Sequence, residues 1–383
     1  MREEPVTVPA SAGAADDAFG ADLYRLLTED APDTVFSPVN VASALRMALC
    51  GARGRTAAEL ARALHGSPDS AADGLRAVSA AVRSVAADES VTFRAPSTVW
   101  VQSGLPLLPG FTDTLREAEA AAPADADFAG APEAARAEIN RVIAEQTAGK
   151  ITGLLPPGTV NTLTRLVLTS AMYLKAAWAD PFPENGTHDA PFHPDGPDRP
   201  GSDVPMMRGT AGRAYRRGDG YQAVMLPYRG GGLAMAVVLP DGPLEALRPA
   251  IQAGGLRGLL DGTSRHQVTL SMPRFRLEAA FDLVPVLRRL GVSEAFTRQA
   301  DFGGITAAER LMISAVAHKA YVDVNEQGTE AAAATAVVFT TLSAMRPPPR
   351  VTMVVDRPFL FAIVHTPTGL PLFLGQVSHP RSG

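Results

Sequence analysis

The residues of this 383-residue chain that could do chemistry do not form a common catalytic signature. The sequence has no G-x-S-x-G elbow, no Walker A loop, no H-E-x-x-H motif and no G-x-G-x-x-G loop. Residues 51–56 (GARGRT) superficially resemble a phosphate-binding loop, but they follow a helical pattern instead of a strand, so we interpret them as a turn. The seven histidines have no paired metal-ligand spacing. The sequence therefore predicts neither a metal nor a cofactor.

One segment has conflicting local preferences. Residues 328–345 begin with small side chains, continue with β-branched ones and end before the proline-rich run 346–349. Alanine favours a helix, whereas Thr335, Val337 and Val338 favour a pleated sheet. A short alanine-rich helix with a loose tail is the simplest interpretation. A conflict of this kind is nevertheless expected where a segment must adopt two conformations.

Composition and charge limit the class of protein. Hydrophobic residues make up 46% of the chain, enough for a large core, and the formal net charge is only -5, so nothing indicates nucleic acid or a membrane surface as partner. Cys50 is the only cysteine, which rules out an intrachain disulfide. The N-terminus does not resemble a signal peptide, and no apolar run approaches the roughly 20 residues that span a bilayer. We expect a cytoplasmic protein, or a secreted one if a leader has been removed.

The elements that must position these residues change in type along the chain. Helical spacing dominates the first half, including residues 111–122, and strand patterns dominate the second, which predicts an α+β fold. Residues 163–174 form a long apolar run rich in strand formers, which predicts a central strand covered on both faces. No long polar linker divides the chain. We therefore expect a flexible N-terminal segment, 1–15, followed by a single domain, 16–383.

Residues 325–335 (NEQGTEAAAAT) are similar to the hinge of inhibitory serpins. Other segments match that family in the same order along the chain. They are 36–43, 149–151, 168–178, 204–207, 272–275, 290–292, 300–302, 318–320, 356–361 and 375–377. Because the ordered agreement covers nearly the whole chain, the sequence is identified as a member of the serpin family.

The resemblance implies a serpin fold, with three β-sheets, eight or nine helices and an exposed reactive-centre loop on a metastable native state. It also implies an irreversible suicide-substrate inhibitor of serine proteases, acting as a monomer, and not an enzyme. The protease forms an acyl-enzyme with the loop, and the cleaved loop then inserts into the main sheet and traps the protease.

The resemblance further assigns site residues. The hinge consists of Glu326, Gln327, Gly328, Thr329, Glu330, Ala331, Ala332, Ala333, Ala334 and Thr335. Because side chains alternate along a strand, we expect Thr329, Ala331, Ala333 and Thr335 to point into the sheet on insertion and Glu330 to point outward.

Two supporting clusters are also implied. The breach, at the end of the main sheet where insertion begins, contains Trp178 and Arg274. The shutter, beneath the main sheet, contains Ser37, Asn40, Ser170 and His318. Asn40 stands where the family usually has serine, and Ser170 where it usually has asparagine, so the details of the shutter's hydrogen bonds are open.

Counting from the hinge without gaps places the reactive bond between Leu342 and Ser343, with Phe339 and Met345 as alternatives. Leucine at this position favours chymotrypsin-like or subtilisin-like proteases over trypsin-like ones, whose pocket carboxylate would be left unpaired. Two other functions stay open: a non-inhibitory serpin that acts as carrier or chaperone, and a cross-class inhibitor of cysteine proteases.

Overall fold

The computed structural model describes residues 13–29, 31–196, 199–330 and 348–381. Eight α-helices lie in these ranges. They are α1 Ala14–Leu27, α2 Pro38–Gly51, α3 Gly54–Ala63, α4 Ala71–Ala86, α5 Pro109–Glu117, α6 Pro132–Gln146, α7 Arg248–Leu260 and α8 Val284–Arg289. Because α1 begins at Ala14, the helical part of the chain starts two residues before the domain boundary predicted at residue 16.

Most strands lie after α6, as the sequence pattern predicts. They are β1 Thr34–Phe36, β2 Val91–Arg94, β3 Ser97–Gln102, β4 Ala124–Ala126, β5 Leu166–Ala177, β6 His188–Phe192, β7 Ser202–Gly218, β8 Tyr221–Pro227, β9 Leu233–Pro240, β10 Ser264–Pro273, β11 Phe275–Asp282, β12 Ile313–Asn325, β13 Gly328–Thr329, β14 Arg350–Val354, β15 Phe359–His365 and β16 Leu370–Val377. The mixture of helices and strands confirms the α+β fold.

The described strands form two hydrogen-bonded sheets. One has the order β11-β12-β13-β5-β3-β4, with β2 also paired to β5, and the other has the order β1-β16-β15-β9-β8-β7-β10-β14, with β6 paired to β7. The family resemblance implies three sheets, whereas the described strands form two. The 17-residue strand β7 pairs with β6 and β10 along one part and with β8 along another, which joins all these strands in one sheet.

The central strand β5 is covered on both faces, as predicted. Leu166 and Leu168 belong to the core that also contains α2, whereas Val167 packs with Ile139 and Ile143 of α6. The alternation follows from the period of two along a strand. Helix α6 therefore covers one face of the seven-stranded sheet and the main core covers the other.

The helix predicted over 111–122 is shorter in the structure. It ends at Glu117, and Glu119 adopts a left-handed backbone conformation with φ of 52°. A left-handed residue ends a helix because it turns the chain away from the helix axis. The apolar pattern of residues 118–122 therefore continues into the following turn, with Ala118 buried in the core.

Two buried ion pairs fasten α1 to its neighbours. Asp16 lies 2.8 Å from Arg46 of α2, and Asp17 lies 3.3 Å from Arg257 of α7. Burial raises the pKa of Asp17 to about 6, although Arg257 opposes the shift. No helix among the described residues is long and apolar enough to cross a membrane.

Gly375 of β16 provides a test of the close packing in the nine-stranded sheet. A Cβ atom at this position would lie 2.3 Å from the Thr34 carbonyl oxygen and 2.7 Å from the Phe361 ring. We expect Gly375→Ala to destabilise the native protein by about 1–3 kcal/mol, because the backbone oxygen cannot move without breaking the β1–β16 ladder. Urea midpoints measure the change. Gly242→Ala is the matched control, since its added methyl meets nothing within 4 Å, and equal midpoints for the two variants would contradict this packing.

Candidate functional site

The predicted hinge begins in a turn at Glu326 and enters the seven-stranded sheet at Gly328. Strands β5 and β12 are parallel neighbours from Leu166 and Ile313 up to Tyr173 and Tyr321, and beyond this point they separate. The two-residue strand β13 fills the space, antiparallel to both: Thr329 pairs with Ala176 on one side and Val324 on the other. The sheet therefore already holds the first two residues of an additional strand.

Thr329 occupies a closed pocket. It has no exposed surface, and its Oγ1 lies 2.6 Å from the hydroxyl of Tyr228. The Tyr228 ring stacks on Trp178 with a centroid distance of 4.4 Å. Only glycine fits at the neighbouring position 328, because a Cβ atom there would lie 2.0 Å from the Ala176 carbonyl oxygen. Thr329 thus lies buried on the inner face of the sheet.

Glu330 turns the chain out of the sheet. Its backbone has a φ of 51°, and its N–H donates to the Asp323 carbonyl at 2.8 Å. Its carboxylate contacts the Lys150 ammonium. The side chain is only 17% exposed, so it is directed away from the Thr329 pocket but is partly buried. Ala331 to Thr335 and the reactive bond between Leu342 and Ser343 lie outside the described residues.

The two predicted breach residues anchor the turn that precedes β13. Trp178 donates from Nε1 to the Asn325 carbonyl and from its backbone N–H to the Gln327 carbonyl, both at 2.9 Å. Arg274 donates to Glu326 Oε1 from Nε at 2.7 Å and lies 2.6 Å from it through Nη2. Trp178 therefore holds the main chain of the turn on both sides of Glu326, and Arg274 holds the Glu326 side chain.

Glu326 is buried yet charged. Burial opposes ionisation, but the hydrogen bonds from Arg274 and from the Thr187 hydroxyl lower the pKa of its carboxyl below the usual value. Tyr228 and Thr187 were not found by sequence reasoning. Each lies more than 100 residues before its hinge partner, and nothing in its local pattern indicates the contact.

The four predicted shutter residues lie together below the inserted residues. The backbone N–H of Ser37 donates to His318 Nε2 at 2.9 Å, and His318 Nδ1 lies 2.8 Å from the Ser170 hydroxyl. Because a backbone N–H can only donate, Nε2 must accept, and the neutral ring therefore carries its proton on Nδ1. The imidazole thus links the first residue before α2 to the central strand β5.

Asn40 completes the shutter. Its Nδ2 donates to the Ala171 carbonyl at 2.7 Å, and the hydroxyl of Ser97 donates to the Asn40 carbonyl at 3.1 Å and contacts Oδ1. The side-chain amide therefore connects α2 to β5 and β3. Sequence reasoning missed Ser97, which lies at the start of β3 without a distinguishing pattern.

His318 is held in its neutral form. It has no exposed surface, and burial lowers its pKa from 6.5 to about 3. A second ring proton would have to lie on Nε2, where it would face the N–H of Ser37. Among the described residues, no group of three His, Cys, Asp or Glu side chains could hold a metal ion.

Comparison with known proteins gives a consistent result. A family model described as Serpin (serine protease inhibitor) matches residues 14–380. The leukocyte elastase inhibitor of Bos taurus is 36% identical over 377 residues, which cover 96% of this chain and 99% of that protein. An uncharacterized serpin-like protein of Thermococcus kodakarensis is 36% identical over 373 residues, with coverage of 96% and 86%. The crystal structure of Serpin48 of Tenebrio molitor matches with a TM-score of 0.82 at 29% identity, covering 96% of this chain and 97% of that chain.

The buried imidazole of His318 predicts that the stability of the native protein depends on pH. The pKa of His318 is near 3 when folded and 6.5 in the reference state, so its contribution to stability is complete above pH 6.5 and is lost as the pH falls toward 3. We expect the native protein to lose about 3 kcal/mol through this group at about pH 4.5, and more at lower pH. Urea midpoints measured near pH 7.5 and near pH 4.5 report the loss.

His318→Gln separates this group from the other titrating groups. Glutamine can accept from Ser37 and donate to Ser170 without titrating, so the variant should lose less stability on acidification. The exposed His188→Gln variant should behave like the wild type. The assignment to His318 is wrong if the wild type and His318→Gln lose the same stability between the two pH values.

Proposed function

Because this chain belongs to the serpin family, we propose that it is an irreversible suicide-substrate inhibitor of serine proteases of the chymotrypsin-like or subtilisin-like kind. The protease attacks the bond between Leu342 and Ser343 and forms an acyl-enzyme. The cleaved loop then inserts into the seven-stranded sheet and displaces the tethered protease. A protease whose oxyanion hole and triad are distorted no longer hydrolyses the ester. The chain acts as a monomer and needs no cofactor.

The observation that carries this proposal is the position of β13 between β5 and β12. Gly328 and Thr329 run antiparallel to both neighbours, so further residues can extend the same two ladders. Insertion exchanges one parallel ladder for two antiparallel ones, which adds backbone hydrogen bonds. The sheet is thus built to accept one more strand at the position where the hinge begins.

The register of β13 assigns each later hinge residue a partner. Thr329 lies opposite Ala176 and Val324, so on insertion Ala333 would lie between Met172 and Ala320, and both of these residues are fully buried. Two residues further, Thr335 would lie between Ser170 and His318. The hinge therefore ends, on insertion, at the shutter, and its inward residues are small throughout.

The first experiment tests for the covalent complex. The wild-type protein incubated with chymotrypsin should give an SDS-stable band at the summed mass of the two chains. Ala333→Arg should instead be cleaved as a substrate, because insertion would bury an unpaired guanidinium between Met172 and Ala320, at a cost of several kcal/mol.

Ala332→Arg is the matched control. It adds the same side chain one residue away, where the period of two directs it to the opposite face of the sheet, beside the rings of Tyr173 and Tyr321. The Tyr321 ring already has the Arg276 guanidinium 5.2 Å from its centroid, so an added guanidinium has an aromatic partner on this face and the variant should still form the complex. If Ala333→Arg traps chymotrypsin as efficiently as Ala332→Arg, the inward assignment is wrong. If no chymotrypsin-like, subtilisin-like or cysteine protease forms a stable complex with the wild type, the chain is a non-inhibitory serpin, such as a carrier or chaperone.

The reactive bond has its own test. Leu342→Arg should redirect inhibition from chymotrypsin to trypsin, because the guanidinium meets a carboxylate in the trypsin pocket and has no partner in the apolar one. The hinge is unchanged in this variant, so the complex with trypsin should still be covalent. Association rate constants with both enzymes measure the change.

The fragment released from the complex identifies the bond directly. An N-terminus at Ser343 agrees with the assignment. A fragment that begins at Thr340 or Arg346, with no change of target in Leu342→Arg, would place the reactive bond after Phe339 or Met345 instead.

A further inference from the structure

The pairing of β13 with its two neighbours ends at Thr329, and the contacts of the next residue, Glu330, indicate why. Thr329 pairs with β5 and β12, but Glu330 departs from strand geometry with its φ of 51°. A left-handed conformation is uncommon for a residue other than glycine and is held by its surroundings. The surroundings of Glu330 therefore decide how far the hinge enters the sheet.

Lys150 supplies the charge that Glu330 requires. The Lys150 ammonium contacts Oε1 of the carboxylate, while Oε2 is buried without a hydrogen-bond partner among the described residues. The Lys150 side chain is 39% exposed, against 17% for Glu330. If the ammonium were removed, a largely buried carboxylate would be left without its cation, whereas the lysine alone is easily solvated. The ion pair is therefore needed mainly by Glu330.

The ion pair lies where the sheet closes. Tyr173 and Tyr321 are the last residues of β5 and β12 that pair directly, and their ring centroids are 6.4 Å apart. The Lys150 ammonium lies 5.8 Å from the centroid of the Tyr321 ring. Burial, followed by the interaction with the Glu330 carboxylate, raises the pKa of Tyr173. Further insertion must part the two tyrosines and move Glu330 away from its present contacts.

We propose that Lys150 is a positioning residue that holds Gly328 and Thr329 of the hinge between β5 and β12, through its ion pair with Glu330. Lys150 follows α6, so the ion pair connects the helix that covers the sheet to the hinge. Loss of the pair releases Gly328, Thr329 and Glu330 from between β5 and β12. These residues then lengthen the segment that a protease can engage. The consequence for inhibition rests on the proposed function, whereas the release itself does not.

Hydrogen exchange and protease kinetics test the two parts separately. In Lys150→Ala, the amide exchange of a peptide that contains residues 328–330 should rise by about threefold, the change expected when a partly exposed ion pair biases a two-state equilibrium. The rate constant for trapping chymotrypsin should rise by a similar factor, with an unchanged stoichiometry of inhibition. Lys150→Arg keeps the charge and should retain both wild-type values.

Lys175→Ala is the matched control. Lys175 is also a lysine at the upper end of the sheet, on β5, and its side chain is exposed, so its removal changes the net charge equally. It should leave exchange and kinetics unchanged. Should Lys150→Ala fail to fold, Glu330→Gln removes the same ion pair with little change of shape and should raise exchange in the same peptide.

The inference is overturned if Lys150→Ala exchanges residues 328–330 like the wild type or more slowly, or if Lys175→Ala raises the exchange as much. Lys150→Arg must also show the wild-type exchange rate, because a positive charge alone would not restore packing lost with the lysine side chain. If exchange responds as expected but no variant, including the wild type, traps a protease, the positioning role of Lys150 stands and the proposed function fails.

Discussion

The parallel ladder between β5 and β12 is the contact on which the rest of the structure depends. Parallel pairing is slightly weaker per residue than antiparallel pairing, and these two strands meet directly only up to Tyr173 and Tyr321. The other residues of the site act at the two ends of this ladder. At its upper end, Thr329 separates the strands and satisfies their backbone groups. At its lower part, His318 and Ser170 are register partners whose side chains also bond to each other.

The hydrogen bonds of the shutter explain how two exchanged residues can still connect α2 and β12 to β5. The resemblance to the family implies that Ser37 and His318 are the usual residues of the shutter, whereas Asn40 and Ser170 stand where a serine and an asparagine are expected. The amide of Asn40 reaches the Ala171 carbonyl from α2, and the shorter hydroxyl of Ser170 suffices for His318, which lies directly opposite. The long side chain is therefore placed where the gap is wide, and the short one where the partners are already in register.

Sequence reasoning predicted those parts of the fold that local patterns determine. The central strand β5, covered on both faces, follows from the apolar run 163–174 alone, and the assignment of the hinge, Trp178 and Arg274 followed from resemblance. It did not predict Lys150, Tyr228 or Ser97 as parts of the site. Lys150 and Tyr228 each meet the hinge across a sequence separation of 100 residues or more, and neither carries a local signal of its partner. The continuous second sheet was also missed, because the pattern of β7 does not reveal that one strand pairs with β6 and β10 along one part and with β8 along another.

The two ends of the ladder are held by interactions of different physical character, and the difference fits the order in which they must open. The pair of Lys150 with Glu330 is partly exposed, so it is screened by salt and contributes about 0.2–1 kcal/mol, as surface ion pairs do. The bonds of His318 are fully buried, and breaking one leaves a polar group unsatisfied at about 1–3 kcal/mol. On the proposed mechanism, a strand that enters from the top would meet the weak contact first and the strong one only when it reached Ser170 and His318. By then the new ladders would already have formed along most of the hinge, so the backbone hydrogen bonds gained would offset the bonds broken at the shutter.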